Sequence, residues 1–180
     1  DHFGHGFLLE DHAERNNVIQ NNLVAVTKKT VTKISSDESD DFPSSYWITN
    51  PENTFIGNVA AGSEHSGFWF EMSRSVRGPS ASMPENAGYN PREQPLKEFR
   101  NNVAHSNNEH GIKTYPGDGY WPSGDAAVFK DCVSFRNAGN GVFLHNSGNI
   151  KIEGGLFADN RVQVDIDRAP ACSVDGARIV

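Results

Sequence analysis

The sequence predicts an all-β fold, a right-handed parallel β-helix (a pectate-lyase-like solenoid) of five to six coils with inserted loops. Three observations predict it. First, one pattern recurs: an apolar residue, two others, a small residue or Asn, a second apolar residue, then Gly-apolar-x-apolar. Its clearest copies are Phe55 to Val59 with Gly67-Phe-Trp-Phe70, Phe99 to Val103 with Gly111-Ile-Lys-Thr114, and Phe129 to Val133 with Gly141-Val-Phe-Leu144. In each, the second apolar residue precedes the glycine by 8 positions. Weaker copies start at Ile19, Ile152 and Val174. Second, the apolar runs are short, rich in Val, Ile and Phe, and separated by the bend formers Asn, Gly and Asp. Third, no stretch holds a helical period between caps.

Taken along the chain, residues 1–27 give a strand at Gly6-Phe-Leu-Leu9, an acidic turn at Glu10-Asp11 and the first copy of the repeat. Residues 28–45 are polar and predict an insertion. Its Ser35-Ser-Asp-Glu-Ser-Asp-Asp41 run lacks the alternating spacing and glycine of a calcium loop, so it reads as solvated. Residues 46–72 are the most apolar segment. Residues 73–95, with Pro79, Pro84, Pro91 and Pro95, and residues 115–125 predict two further loops. All three insertions should project from the rod. The first-column residues Phe55, Phe99, Phe129 and Ile152 and the second-column residues Val59, Val103, Val133 and Leu156 should stack, buried, in two lines. Asn22, Asn58 and Asn102 fall in one column, and Asn107, Asn137 and Asn160 in another; both read as structural amide ladders inside turns.

Composition narrows the function. The 180 residues make one domain, 1–180. The chain begins at Asp1 and repeats run close to both ends, which predicts a segment of a longer chain with apolar, unpaired ends. A net charge of −7 argues against nucleic acid as a partner. No apolar run is long enough to insert into a membrane. His2, His5 and His12 lack zinc spacing, so no metal is expected, and no phosphate loop or nucleophile elbow points to a cofactor. Cys132 and Cys172 lie two coils apart, about 9–10 Å, which predicts free thiols.

A resemblance adds to this. Tyr46-Trp-Ile-Thr-Asn-Pro-Glu-Asn53, Ala60-Ala-Gly-Ser-Glu64 and Gly67-Phe-Trp69 resemble a segment of the fibrocystin-L family and its relatives, the cell-migration-inducing hyaluronan-binding protein and transmembrane protein 2. The opening Gly4-His-Gly-Phe-Leu-Leu-Glu-Asp11 is similar to a second motif of that family, and Pro95 to Asn107 to a third, in family order. The resemblance implies large extracellular or cell-surface proteins with a G8 domain ahead of a parallel β-helix. It implies hyaluronan binding or depolymerisation in one branch and a surface coat protein in the other.

The expectation is therefore a structural or glycan-contacting module of an extracellular or cell-surface protein. Its partners would be a polysaccharide, other extracellular modules, or the rest of its own chain. The alternative is part of a hyaluronan-type depolymerase, which needs an acid/base pair along the rod. Glu10, Glu71 and His145 each follow the Gly-apolar-x-apolar strand of a coil, so they should line one edge. Asp11 and His105 are further polar candidates. Trp69 points opposite to Phe68 and Phe70, so Trp69 or Trp121 should stack on a sugar. Other polar groups near the motifs are His65, Glu109 and His110, with Lys113 and Arg74 among the cations that would offset the acidic field.

Overall fold

A computed structural model describes residues 1–32, 41–115 and 117–180. The chain winds into a parallel β-helix of three six-stranded sheets. The first sheet stacks Phe7–Leu8, Ser44–Ile48, Ser66–Phe70, Ile112–Lys113, Asn140–His145 and Val162–Asp167. The second stacks Val18–Gln20, Thr54–Ile56, Glu98–Arg100, Ala127–Lys130, Ile150–Glu153 and Ser173–Asp175. The third stacks Leu23–Ala25, Val59–Ala61, Val103–His105, Val133–Phe135, Leu156–Ala158 and Arg178–Ile179. A small pair, His2–Phe3 with Thr27–Lys28, sits at the first coil.

The register is the one the repeat predicts. Ile19, Phe55, Phe99, Phe129, Ile152 and Val174 pair in one unbroken column. Phe55, Phe99, Phe129 and Ile152 are at most 1% exposed. Tyr46 stacks on Phe68 at 4.5 Å between centroids, and Phe70 on Phe129 at 5.0 Å. Because each coil buries its apolar face only against the next, this ring stack is the core.

The second column needs correcting. Leu23, Val59, Val103, Val133 and Leu156 do pair in register, but they face outward. The residues inside are Val24, Ala60, Ala104, Ser134 and Phe157. The reason is a left-handed residue at the corner, single in the first four coils and doubled at Gly154 and Gly155 in the fifth. Asn21, Gly57, Asn101 and Asp131 have φ between 49° and 64°. That kink turns the next residue (Asn22, Asn58, Asn102 or Cys132) toward the inside, so alternation restarts one step out of phase.

The turned-in amides form the ladder. Asn22 N and Nδ2 donate to Asn58 Oδ1 at 3.1 and 3.0 Å, and Asn58 N and Nδ2 donate to Asn102 Oδ1 at 3.0 and 3.2 Å. Asn107, Asn137 and Asn160 repeat this at the next corner, with Nδ2 to Oδ1 distances of 2.8 and 2.9 Å. The repeat glycines follow from it: a Cβ on Gly141 would sit 2.6 Å from Asn160 Nδ2 and 2.5 Å from Gln163 O.

In the first ladder Cys132 stands where an Asn would continue. Its thiol is buried, which pushes its pKa up to about 12. Its Sγ donates to Lys130 O at 3.5 Å, and a thiol is a weaker hydrogen-bonding group than the amide it replaces. Cys132→Asn is expected to extend the ladder and stabilise the chain by about 1 kcal/mol, the net worth of one buried hydrogen bond. A higher urea midpoint at unchanged slope checks this; a lower one would mean that the site cannot hold the amide.

All three insertions differ from expectation. Ser44 and Ser45 are buried strand residues, so the first loop ends before them. Residues 115–125 do not only project: Tyr120 is 0% exposed, and its hydroxyl donates to Gln94 O at 2.9 Å. Residues 73–95 run through short 3-10 turns at Pro79–Ser82, Pro84–Asn86 and Pro91–Glu93. They fold back on the rod, with Arg15 4.4 Å over the Tyr89 ring. Most of the Ser35–Asp41 run lies outside the described residues. Cys132 and Cys172 are free thiols. No helix among the described residues is long and apolar enough to cross a membrane. At the last coil the inward residues Ile166, Val174 and Ile179 are 40–56% exposed.

Candidate functional site

The strand register does place Glu10, Glu71 and His145 in one row, with Thr49 and Tyr115 between them. The row is not an open charged edge. Glu71 is 8% exposed, and its carboxylate takes His12 Nε2 at 3.1 Å and Arg77 at 3.7 Å. His145 Nδ1 lies 2.7 Å from Asp167, and Tyr115 packs edge-on to its ring. Glu10 is exposed. Asp11 accepts from Ser80 N at 3.1 Å and anchors the loop after Gly78. His105 lies on the third sheet, stacked on Phe135 at 4.8 Å. Trp121 Nε1 donates to Asn146 O at 2.8 Å, with Arg92 5.2 Å from its ring. Apart from the shared row of Glu10, Glu71 and His145, the structure does not bring these candidates together in one site.

What it brings together lies two residues earlier in each coil, on the outer face of the first sheet. Trp47, Trp69, Lys113 and Phe143 stack there in register. A cleft of about 260 Å³ opens over this row, lined by Phe42, His65, Trp69, Glu109, His110, Lys113, Tyr115 and Phe143. Trp69 forms its floor but is only 2% exposed, because Lys113 Nζ sits 3.6 Å over the indole and His65 stacks beside it. Trp69 is thus covered, not offered to a sugar. The aromatic surface that remains open belongs to Phe42, Tyr115 and Phe143.

Glu109 is the carboxylate that lines the cleft. Its Oε2 faces three nitrogens: His65 Nε2 at 2.9 Å, Lys113 Nζ at 3.4 Å and His110 Nε2 at 3.5 Å. The hydrogen bond from His65, aided by Lys113, holds its pKa down at about 2 against the opposing effect of burial. Both histidines are held neutral. His110 Nδ1 accepts the Asn140 backbone N–H at 3.0 Å, so its proton sits on Nε2, toward Glu109. Burial, with Lys113 nearby, lowers its pKa to about 4. Burial lowers that of His65 too, and brings Lys113 down to about 8 with Glu109 opposing. The tautomer argues against a metal here, since an Nδ1 that accepts a backbone N–H leaves the proton on the nitrogen a metal would take. What the cleft presents outward is one firmly ionised carboxylate among aromatic edges.

The sequence carried a signal for this site that a search along the Glu10 edge misses. Counted back two residues from the repeat glycines, His65, Glu109 and Gly139 fall at one corner, and counted forward two, Trp69, Lys113 and Phe143 fall in one row. Phe42 had no such signal, because it arrives from the first insertion.

Comparison with known proteins agrees with the fold. A family model described as CEMIP beta-helix matches residues 1–112. The chain belongs to that family. Among its relatives are mouse fibrocystin-L (Mus musculus), 35% identical over 109 residues, which cover 61% of this chain and 2% of that protein. The human cell migration-inducing and hyaluronan-binding protein (Homo sapiens) is 28% identical over 207 residues, 88% of this chain and 15% of that protein. Human cell surface hyaluronidase CEMIP2 is 27% identical over 212 residues, 90% and 15%. The chain therefore spans a small part of each relative. Of the cleft residues, Phe42, His65, Trp69, Glu109 and His110 lie inside the CEMIP beta-helix match, and Lys113 is the first residue beyond its end.

Proposed function

We propose that this β-helix is a glycan-contacting module of a large extracellular or cell-surface protein, with the cleft over Trp69 as its contact site and a hyaluronan-class polysaccharide as its ligand. The observation that carries the reading is Glu109. Its Oε2 is held by fixed donors, and its side chain is 43% exposed, which leaves Oε1 to accept sugar hydroxyls. Phe143, Tyr115 and Phe42 supply apolar faces around it. The names of two relatives, a hyaluronan-binding protein and a cell surface hyaluronidase, support the ligand class and the location. The reading is contact without cleavage. Glycoside hydrolysis needs two carboxyl groups, one of them protonated near neutral pH, and a carboxyl held near 2 is a poor acid.

The test is calorimetric titration of the 180-residue chain with hyaluronan oligosaccharides, with polymer length followed in parallel. Glu109→Gln should weaken binding about tenfold, the loss of a charge-assisted hydrogen bond. Polymer length should not change. Absence of binding to the unaltered chain would overturn the reading. Shortened polymer would replace it with the depolymerase alternative.

A further inference from the structure

The corner column that carries Glu109 continues beyond the cleft. Glu109 N donates to His65 O at 2.8 Å, Gly139 N to Glu109 O at 2.6 Å, and Arg161 N to Gly139 O at 3.0 Å. The four residues thus occupy one position in successive coils, and Arg161 stands two steps, about 10 Å, from Glu109 along the rod. The position between them has no side chain. A Cβ on Gly139 would meet Glu109 O at 2.7 Å and His110 Nδ1 at 3.0 Å, so the gap is built into the backbone. Arg161 is exposed and has no carboxylate partner among the described residues. Some exposed cations on this rod are paired, Arg136 with Asp159, Arg74 with Asp118 and Lys130 with Glu153, and what sets Arg161 apart is its place in the column of Glu109. Arg161 is close enough to act electrostatically on His110, which lines the cleft.

We infer that Arg161 is an anion subsite continuous with the cleft, binding the carboxylate or sulfate of an acidic sugar whose uncharged neighbour lies against Glu109 and Phe143. This rests on the glycan-contacting reading above. The charges fix the order. Glu109 offers an acceptor to hydroxyls and repels an anionic ring. Arg161 offers a planar guanidinium fork that matches a carboxylate or sulfate and is unused otherwise. Gly139 leaves room for the sugar chain to pass between them. A polymer alternating neutral and anionic sugars satisfies both positions. A polymer charged on every ring sets one charge against Glu109, and a neutral polymer leaves Arg161 idle.

The experiment compares three oligosaccharides of equal length on the 180-residue chain: hyaluronan, chitin (neutral throughout) and chondroitin sulfate. Affinities are measured at several salt concentrations for the unaltered chain, Arg161→Gln and Arg161→Lys. Arg161→Gln should weaken hyaluronan about tenfold and flatten its salt dependence, with chitin binding unchanged. Arg161→Lys should restore the salt dependence and only part of the affinity, since an ammonium lacks the fork. Chondroitin sulfate, charged on both of its sugars, should bind more weakly than hyaluronan because one of its charges meets Glu109; binding as tight as hyaluronan or tighter would overturn the alternation of neutral and anionic positions. Equal weakening of hyaluronan and chitin, or no effect on either, overturns the subsite and leaves the cleft reading standing. Binding of none of the three by the unaltered chain overturns the glycan reading and the subsite with it.

Discussion

Phe99→Ala is expected to lower the stability of the chain by about 3–5 kcal/mol. Phe99 is 1% exposed at the middle of the column. Its ring lies 5.0 Å from Phe129, 5.1 Å from Phe70, 5.3 Å from Phe68 and 6.4 Å from Phe55, so it touches its own coil's neighbours and those on both sides. Removing it opens a cavity that parallel backbones held at fixed spacing cannot collapse to fill. Val103→Ala, four residues later in the same coil, removes an outward side chain and should cost less than about 1 kcal/mol. Urea unfolding of the two variants separates them. Equal losses would mean that both columns face inward and that the corner kink is wrongly placed.

The second large effect is with pH. His110 has a folded pKa near 4, below its ordinary 6.5, because burial and the Asn140 N–H on Nδ1 leave no place for a second proton. Between these values the unfolded chain binds the proton and the folded chain does not. Stability is therefore full above pH 6.5 and falls as pH drops toward 4, by on the order of 3 kcal/mol for His110. Glu109 extends the same trend: depressed to about 2, it stabilises above its ordinary 4.5 and loses that as pH falls toward 2. Lys113, brought down to about 8 from 10.5, has the same sign at the other end, so stability rises again as pH climbs between those values. His110→Gln should flatten the slope between pH 6.5 and 4 and leave the alkaline rise. An unchanged acid slope in that variant would show that another group carries it.

The first column was legible in the sequence because Phe55, Phe99 and Phe129 stand at a fixed distance from a glycine that the ladder requires. The facing of Val59, Val103 and Val133 was not, since hydrophobicity cannot reveal a left-handed Gly57 or Asn101 that shifts the phase of the strand. The row of Glu10, Glu71 and His145 was legible for the same reason as the column. The covering of Glu71 and His145 was not, because His12, Arg77 and Asp167 reach those two side chains from other segments. Lys113 reads as a solvated strand residue until its neighbour in register, Trp69, is seen beneath its ammonium.

The two amide ladders also give the rod a direction. In every link the donor belongs to the earlier coil and the acceptor to the later one: Asn22 to Asn58 to Asn102, and Asn107 to Asn137 to Asn160. Aligned amides polarise one another, so the dipoles add along the axis and do not cancel. The outer face shares that vectorial order, running from His65 through Glu109 to Arg161 with no symmetry that would exchange its ends. A polysaccharide has chemically distinct ends of its own. Laid along this face as proposed, it would meet a different sequence of groups when reversed, so the proposed site would select the polarity of the polymer as well as its composition.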